Sequence, residues 1–216
     1  MNNSSYNNNS RIIASIIDIP ATGNDFGDFL KKIKGLPLIE IEIEADHIAS
    51  IQDQGLIGDT RITVVLNYPL GGCQPDYILD SIRWARKQKI DIVCCGLPYF
   101  WMRSNEISNI ADFITDLKKA CGEKILRLAI ESDELTLDEI FKICDLIEDA
   151  GIHHLQTSCG FAHNTNIETI LNIQKKHHNL LLTIDNNLHG DSLEIDSLFK
   201  AGVDYVCIKE PWLYHF

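Results

Sequence analysis

The sequence predicts an α/β fold, a (β/α)8 TIM-type barrel, on three observations. Short apolar runs rich in β-branched residues recur along the chain, amphipathic stretches of helical period fill the gaps, and no strand leads into a glycine-rich GxGxxG turn. Continuous apolar runs suit strands buried on both faces of a parallel sheet, and their alternation with helical segments suits crossover connections. About eight such units close a barrel or open into a doubly wound sheet, and the missing dinucleotide turn favours the barrel.

Strands are expected over residues 12–19, 38–43, 62–67, 90–95, 125–131, 154–158, 180–185 and 205–209. Seven read as central strands. The second alternates instead, as Leu38-Ile39-Glu40-Ile41-Glu42-Ile43-Glu44, which reads as a more exposed strand with Glu40, Glu42 and Glu44 on one solvated face. The clearest helices are expected over residues 75–89, 107–121, 137–150, 167–177 and 193–201. Ile167, Ile170, Leu171 and Gln174 recur at helical spacing, and Thr136 with Glu139 forms a capping-box pair at the start of the third segment. The segment after the eighth strand, Pro211-Trp212-Leu213-Tyr214-His215-Phe216, is too short for a regular final helix. Its aromatics are expected to plug the wall that such a helix would cover, unless a second subunit does so in a homo-oligomer.

A 216-residue chain that is 45% apolar supports one large core, so residues 11–216 are expected to form a single domain behind a disordered Asn- and Ser-rich tail over residues 1–10. The formal charge of −12 excludes a nucleic-acid partner, whose phosphates this surface would repel. No apolar run reaches the roughly 18 to 20 residues needed to span a bilayer. The seven cysteines lack CxxC or Cys/His zinc spacing, and Cys94 and Cys95 point to opposite faces of a strand. They read as reduced core thiols of a cytoplasmic protein. Neither His153-His154 nor His177-His178 has the i, i+4 spacing of a helical zinc site, so neither a metal nor another cofactor is expected.

In a parallel barrel, functional side chains gather where the strands end and the βα loops begin. That rule selects Asp18, the turn Asn67-Tyr68-Pro69-Leu70-Gly71-Gly72, Asp91 on the fourth strand, Glu131, the run Gln156-Thr157-Ser158, Thr183, Asp185 and Lys209-Glu210. In a pocket of lowered dielectric Lys209 could act as a nucleophile; otherwise it pairs with Glu210 or another loop carboxylate.

In order along nearly the whole chain, several of these segments resemble the deoxyribose-phosphate aldolase family. The Asn67–Gly72 turn is similar to the family's Gly-Phe-Pro-Leu-Gly, Lys89-Ile90-Asp91-Ile92-Val93 to its Glu-Ile-Asp-Met-Val strand, and Arg127-Leu128-Ala129-Ile130-Glu131 to its Lys-Val-Ile-Ile-Glu. His154-Leu155-Gln156-Thr157-Ser158-Cys159-Gly160-Phe161 resembles the strand-six Lys-Thr-Ser-Thr-Gly-Phe signature, and Ala201-Gly202-Val203-Asp204 the Ala-Gly-Ala-Asp joint.

The resemblance implies an aldolase barrel with Asp91 as its strand-four acid/base group; acid/base chemistry on small sugars or aldehydes could also use Asp18, which equally suits a turn or cap before Pro20. It also implies a Schiff-base lysine where this chain has Gln156, and a helper lysine where it has Thr183, which leaves no cation expected beside position 156. The family's phosphate turn is matched by Thr183-Ile184-Asp185-Asn186-Asn187, where the side chains of Asn186 and Asn187 would crowd an anion that glycine admits. Three functions remain open at this level. They are small-ligand binding or altered acid/base chemistry without the Schiff base, a non-catalytic assembly scaffold, and a lyase whose nucleophile has moved to Lys209. Ligand contacts are expected from Glu131, Gln156, Thr157, Ser158, Thr183, Asp185, Asn186 and Asn187.

Overall fold

The computed structural model describes residues 11–17, 23–54, 60–159, 165–188 and 192–214. Eight parallel strands close a barrel in chain order. They are β1 (Ile12–Ser15), β2 (Glu40–Glu44), β3 (Arg61–Leu66), β4 (Ile92–Gly96), β5 (Ile125–Ala129), β6 (His154–Gln156), β7 (Leu181–Leu188) and β8 (Tyr205–Ile208). Closure runs through Ile13 opposite Cys207 in the β1–β8 pair. The helices are α1 (Gly23–Ile33), α2 (Ile48–Gln54), α3 (Pro75–Ala85), α4 (Tyr99–Arg103), α5 (Ile107–Cys121), α6 (Leu137–Asp149), α7 (Ile167–Lys176) and α8 (Ser192–Lys200). None is long and apolar enough to cross a membrane. The expected tail over residues 1–10 lies outside the described residues.

Strand side chains alternate between two different environments. Those facing out, including Ile43, Val64, Val93, Leu128, Leu155, Leu182 and Val206, join helix residues such as Ile82, Leu117, Ile143, Ile170 and Leu198 in the main core. Burial of this layer between sheet and helices is the main stabilising term, at roughly 25 cal/mol per Å² of apolar surface. Facing in, Ile17, Val65, Cys94, Ala129 and Cys159 form a smaller apolar cluster.

The same alternation corrects the reading of β2. Its isoleucines Ile41 and Ile43 face the helices, so Glu40 and Glu42 point into the barrel and are fully buried; only Glu44 is exposed. A half-polar strand in a barrel turns its polar face inward because the helical coat claims the apolar one.

Local signals set the ends of elements. Thr136 and Glu139 close the expected capping box on α6, with the Thr136 hydroxyl accepting from Glu139 N and the Glu139 carboxylate accepting from Thr136 N. Helix α1, for which no helix was expected, buries Phe26, Phe29, Leu30 and Ile33, an i, i+3, i+4, i+7 stripe. Two aspartates tie strand beginnings together: Asp91 accepts from Ile62 N at 2.9 Å and Asp204 from Leu182 N at 2.8 Å. After β3, the Asn67–Gly72 turn folds against β4, with Asn67 Nδ2 donating to Gly96 O at 2.9 Å. Gly71 there has φ +66°, and a Cβ on it would stand 2.3 Å from Leu97 O, so only glycine fits.

Among the described residues no α-helix follows β8. A 3-10 turn (Pro211–Leu213) takes its place, with Trp212 edge-on to Phe29 of α1 at 6.0 Å and Tyr214 buried. The aromatic plug forms as expected.

Candidate functional site

The barrel interior holds a buried charge cluster below its mouth. Arg127 on β5 is fully buried and donates through Nη2 to Glu40 Oε2 at 2.7 Å and through Nη1 to Gln156 Oε1 at 3.4 Å. Thr63 donates to Glu40 Oε1 at 2.5 Å, and Cys207 Sγ donates to Glu42 Oε2 at 3.1 Å. Burial alone would lower the Arg127 pKa, but Glu40, Cys94 and Glu42 outweigh it and hold the group above its ordinary value. For Glu42, burial is the leading cause of a pKa pushed up to about 7, with Asp185 and Glu40 adding repulsion against the pull of Arg127. His154, at the start of β6, is lowered to about 4 by burial and then by Arg127.

Above this cluster lie Gln156 and Thr183, directly opposite each other on β6 and β7 and both fully buried. Cys94 Sγ donates to Gln156 Oε1 at 3.6 Å, and the Tyr68 hydroxyl lies 3.1 Å from the same sulfur. Burial raises the Tyr68 and Cys94 pKa values, so both remain protonated near neutrality. Higher still, Glu131 Oε1 accepts from Cys159 N at 2.8 Å. Its pKa is raised, burial outweighing that hydrogen bond. Lys209, only 5% exposed at the end of β8, donates to Ile17 O at 2.8 Å and pairs with the fully buried Asp185 at 3.4 Å.

Glu131, Gln156, Thr183, Asp185 and Lys209 are therefore brought to one end of the barrel. The partner of Lys209 is Asp185 of β7. Ser158 is buried at the end of β6, whereas Thr157 turns outward, where its hydroxyl accepts from Thr165 at 3.1 Å behind the barrel wall. Asn186 and Asn187 continue the backbone of β7, and their side chains, like Asp18, lie outside the described residues. Asp91 is exposed just before β4, at the N-terminal end of the barrel, where its carboxylate accepts from a backbone amide. It is three residues short of Cys94, the inward side chain at the level of Gln156, so the acid/base role expected for Asp91 has no geometric support.

Sequence reasoning passed over Arg127, Glu40, Glu42 and Cys94, and reached Tyr68 only as part of the Asn67–Gly72 turn. The signal for the first three was present: a charge inside the apolar β5 run, and a strand with glutamates on one face. Arg127 also overturns the expectation that position 156 has no cation beside it. Among the described residues two groups could offer several ligand atoms to a metal, Glu44-Asp46-His47 at the end of β2 and Asp145-Glu148-His177 among the helices. In the second, Lys176 already occupies Asp145 at 3.3 Å.

No family profile matches the chain. It is 28% identical over 110 residues to the deoxyribose-phosphate aldolase of Mycoplasma capricolum subsp. capricolum, a match covering 50% of this chain and 50% of that one. With the deoxyribose-phosphate aldolase of Mannheimia succiniciproducens it shares 30% identity over 107 residues, 48% of this chain and 46% of the other. In sequence the chain is thus similar to the deoxyribose-phosphate aldolase family. It spans about half the length of these curated relatives in the matched segments. The fold agrees across nearly the whole barrel. The tetrameric deoxyribose phosphate aldolase of Aeropyrum pernix superposes with a TM-score of 0.81 at 12% identity, covering 94% of this chain and 86% of that chain.

Proposed function

We propose that this deoxyribose-phosphate aldolase-like barrel takes a small sugar or aldehyde into its mouth and handles it without a Schiff base on β6. The observation that carries this reading is the residue at 156. An amide nitrogen shares its lone pair with the carbonyl and is neither basic nor nucleophilic. The amide oxygen of Gln156 is also engaged by Arg127 and Cys94, so the side chain serves as a fixed hydrogen-bonding group. Any acid/base step on this reading falls to Glu131, Asp185 and Lys209 around the mouth, the first with a pKa raised by burial.

A second reading, a lyase with a relocated nucleophile, is favoured by one observation: an amine, that of Lys209, is buried at the mouth beside Asp185. Borohydride reduction in the presence of acetaldehyde or 2-deoxyribose 5-phosphate, followed by intact-mass measurement, separates the two. The expected result is no adduct and no retro-aldol turnover of 2-deoxyribose 5-phosphate. An adduct mapped to Lys209 and lost in Lys209→Ala would establish the second reading instead. The tetramer of the Aeropyrum pernix relative supports homo-oligomeric assembly, which sedimentation velocity of this protein measures directly.

A further inference from the structure

Among the described residues, three buried polar atoms on successive strands have no hydrogen-bond partner: Glu131 Oε2 just beyond β5, Gln156 Nε2 on β6 and Thr183 Oγ1 on β7. Their residues are 2%, 0% and 0% exposed, so bulk water does not compensate them. Leaving a buried polar group unpaired forfeits its hydration with nothing in return, and such groups concentrate where a ligand supplies the missing bond. The register supports one site, because Gln156 and Thr183 are paired residues facing the same interior and Ala129, two positions before Glu131, pairs with Gln156.

Together the three offer a carboxylate acceptor, an amide donor and a hydroxyl that both donates and accepts. That set matches adjacent hydroxyl and carbonyl oxygens. It does not match a phosphate, since Glu131 and the fully buried Asp185 both bear carboxyl groups at this end of the barrel and Lys209 is already paired with Asp185. The partly exposed Tyr68 packs on the inward apolar cluster that adjoins Gln156.

We infer that Gln156, Thr183 and Glu131 form a non-covalent binding site for an uncharged, non-phosphorylated polyhydroxy aldehyde or sugar. This rests on the proposed function and narrows its ligand class.

The test is isothermal titration of the full-length protein with 2-deoxyribose, glyceraldehyde, 2-deoxyribose 5-phosphate and inorganic phosphate. At least one of the two uncharged compounds should bind at least tenfold more tightly than the phosphorylated sugar. Thr183→Val removes a hydroxyl with no partner among the described residues, so it should fold normally and weaken that binding at least tenfold, whereas Thr183→Ser should keep it. Tighter binding of the phosphorylated sugar, no binding of either uncharged compound, or unchanged affinity in Thr183→Val would each overturn the inference. None of those outcomes creates a borohydride-trapped adduct, so failure here stays distinct from failure of the Schiff-base-free reading.

Discussion

At the scale of single residues, the contact between Arg127 and Gln156 decides what an amine at position 156 would do. The guanidinium Nη1 lies 3.4 Å from the Gln156 amide oxygen, in an interior with no solvent exposure at either residue. A lysine placed there would meet both a like charge and burial, and each favours the neutral amine over the ammonium. Gln156→Lys should therefore form a borohydride-trappable imine with acetaldehyde near pH 8, while the wild type forms none. Loss of the acceptor for Arg127 should cost about 1 to 3 kcal/mol. Efficient turnover should not follow, because position 183 supplies a hydroxyl rather than a second amine. A folded Gln156→Lys protein with no adduct would show that Arg127 does not depress the new amine as the geometry requires.

At the scale of elements, the two strand-tying aspartates separate structure from chemistry. Asp204 accepts the Leu182 amide from a partly buried position, and Asp91 does the same for Ile62 from an exposed one. Water can replace the exposed acceptor more readily than the sheltered one. Asp204→Ala should lower stability by about 1 to 2 kcal/mol in urea denaturation and Asp91→Ala by less, with sugar binding unchanged in both. Abolition of binding by Asp91→Ala alone would return that residue to the functional site. The same distinction explains why motif resemblance misplaced it: Lys89–Val93 straddles the start of β4, and the inward position at the level of Gln156 comes only at Cys94.

Across the whole molecule, the buried interior should write itself into the pH dependence of stability. Glu42 titrates near 7 in the fold against an ordinary 4.5, so between those values the folded state keeps a proton that the unfolded chain has released. Stability from this group is then fully present below about 4.5 and falls as pH rises through 7, a loss of about 3 kcal/mol. His154 acts in the opposite sense. Lowered to about 4 from 6.5, it stays neutral in the fold while the unfolded chain takes up a proton, so its contribution is present above 6.5 and is lost as pH falls towards 4. The two slopes oppose each other up to about 6.5, beyond which the Glu42 decline stands alone. Glu42→Gln should remove that decline, making the variant more stable than wild type at pH 8 by up to about 3 kcal/mol and close to it at pH 4.5. Parallel denaturation curves for the two proteins at both pH values would count against a protonated Glu42.

The sequence by itself pointed to the barrel, the capped start of α6 and the absence of an amine at position 156. These follow from local facts: apolar period, cap residues and the chemistry of one side chain. Tertiary structure alone decided which face of each strand looks inward. A period of two says that the faces of β2 differ, but only closure under a coat of helices sends Ile41 and Ile43 outward and confines Glu40 and Glu42 with Arg127, a residue 87 positions from Glu40. The pairing of Lys209 with Asp185, and the placing of Gln156 opposite Thr183, likewise depend on strands brought side by side. Such pairings arise when distant strands close a common interior, and no window along the chain contains both partners of the buried ion pair.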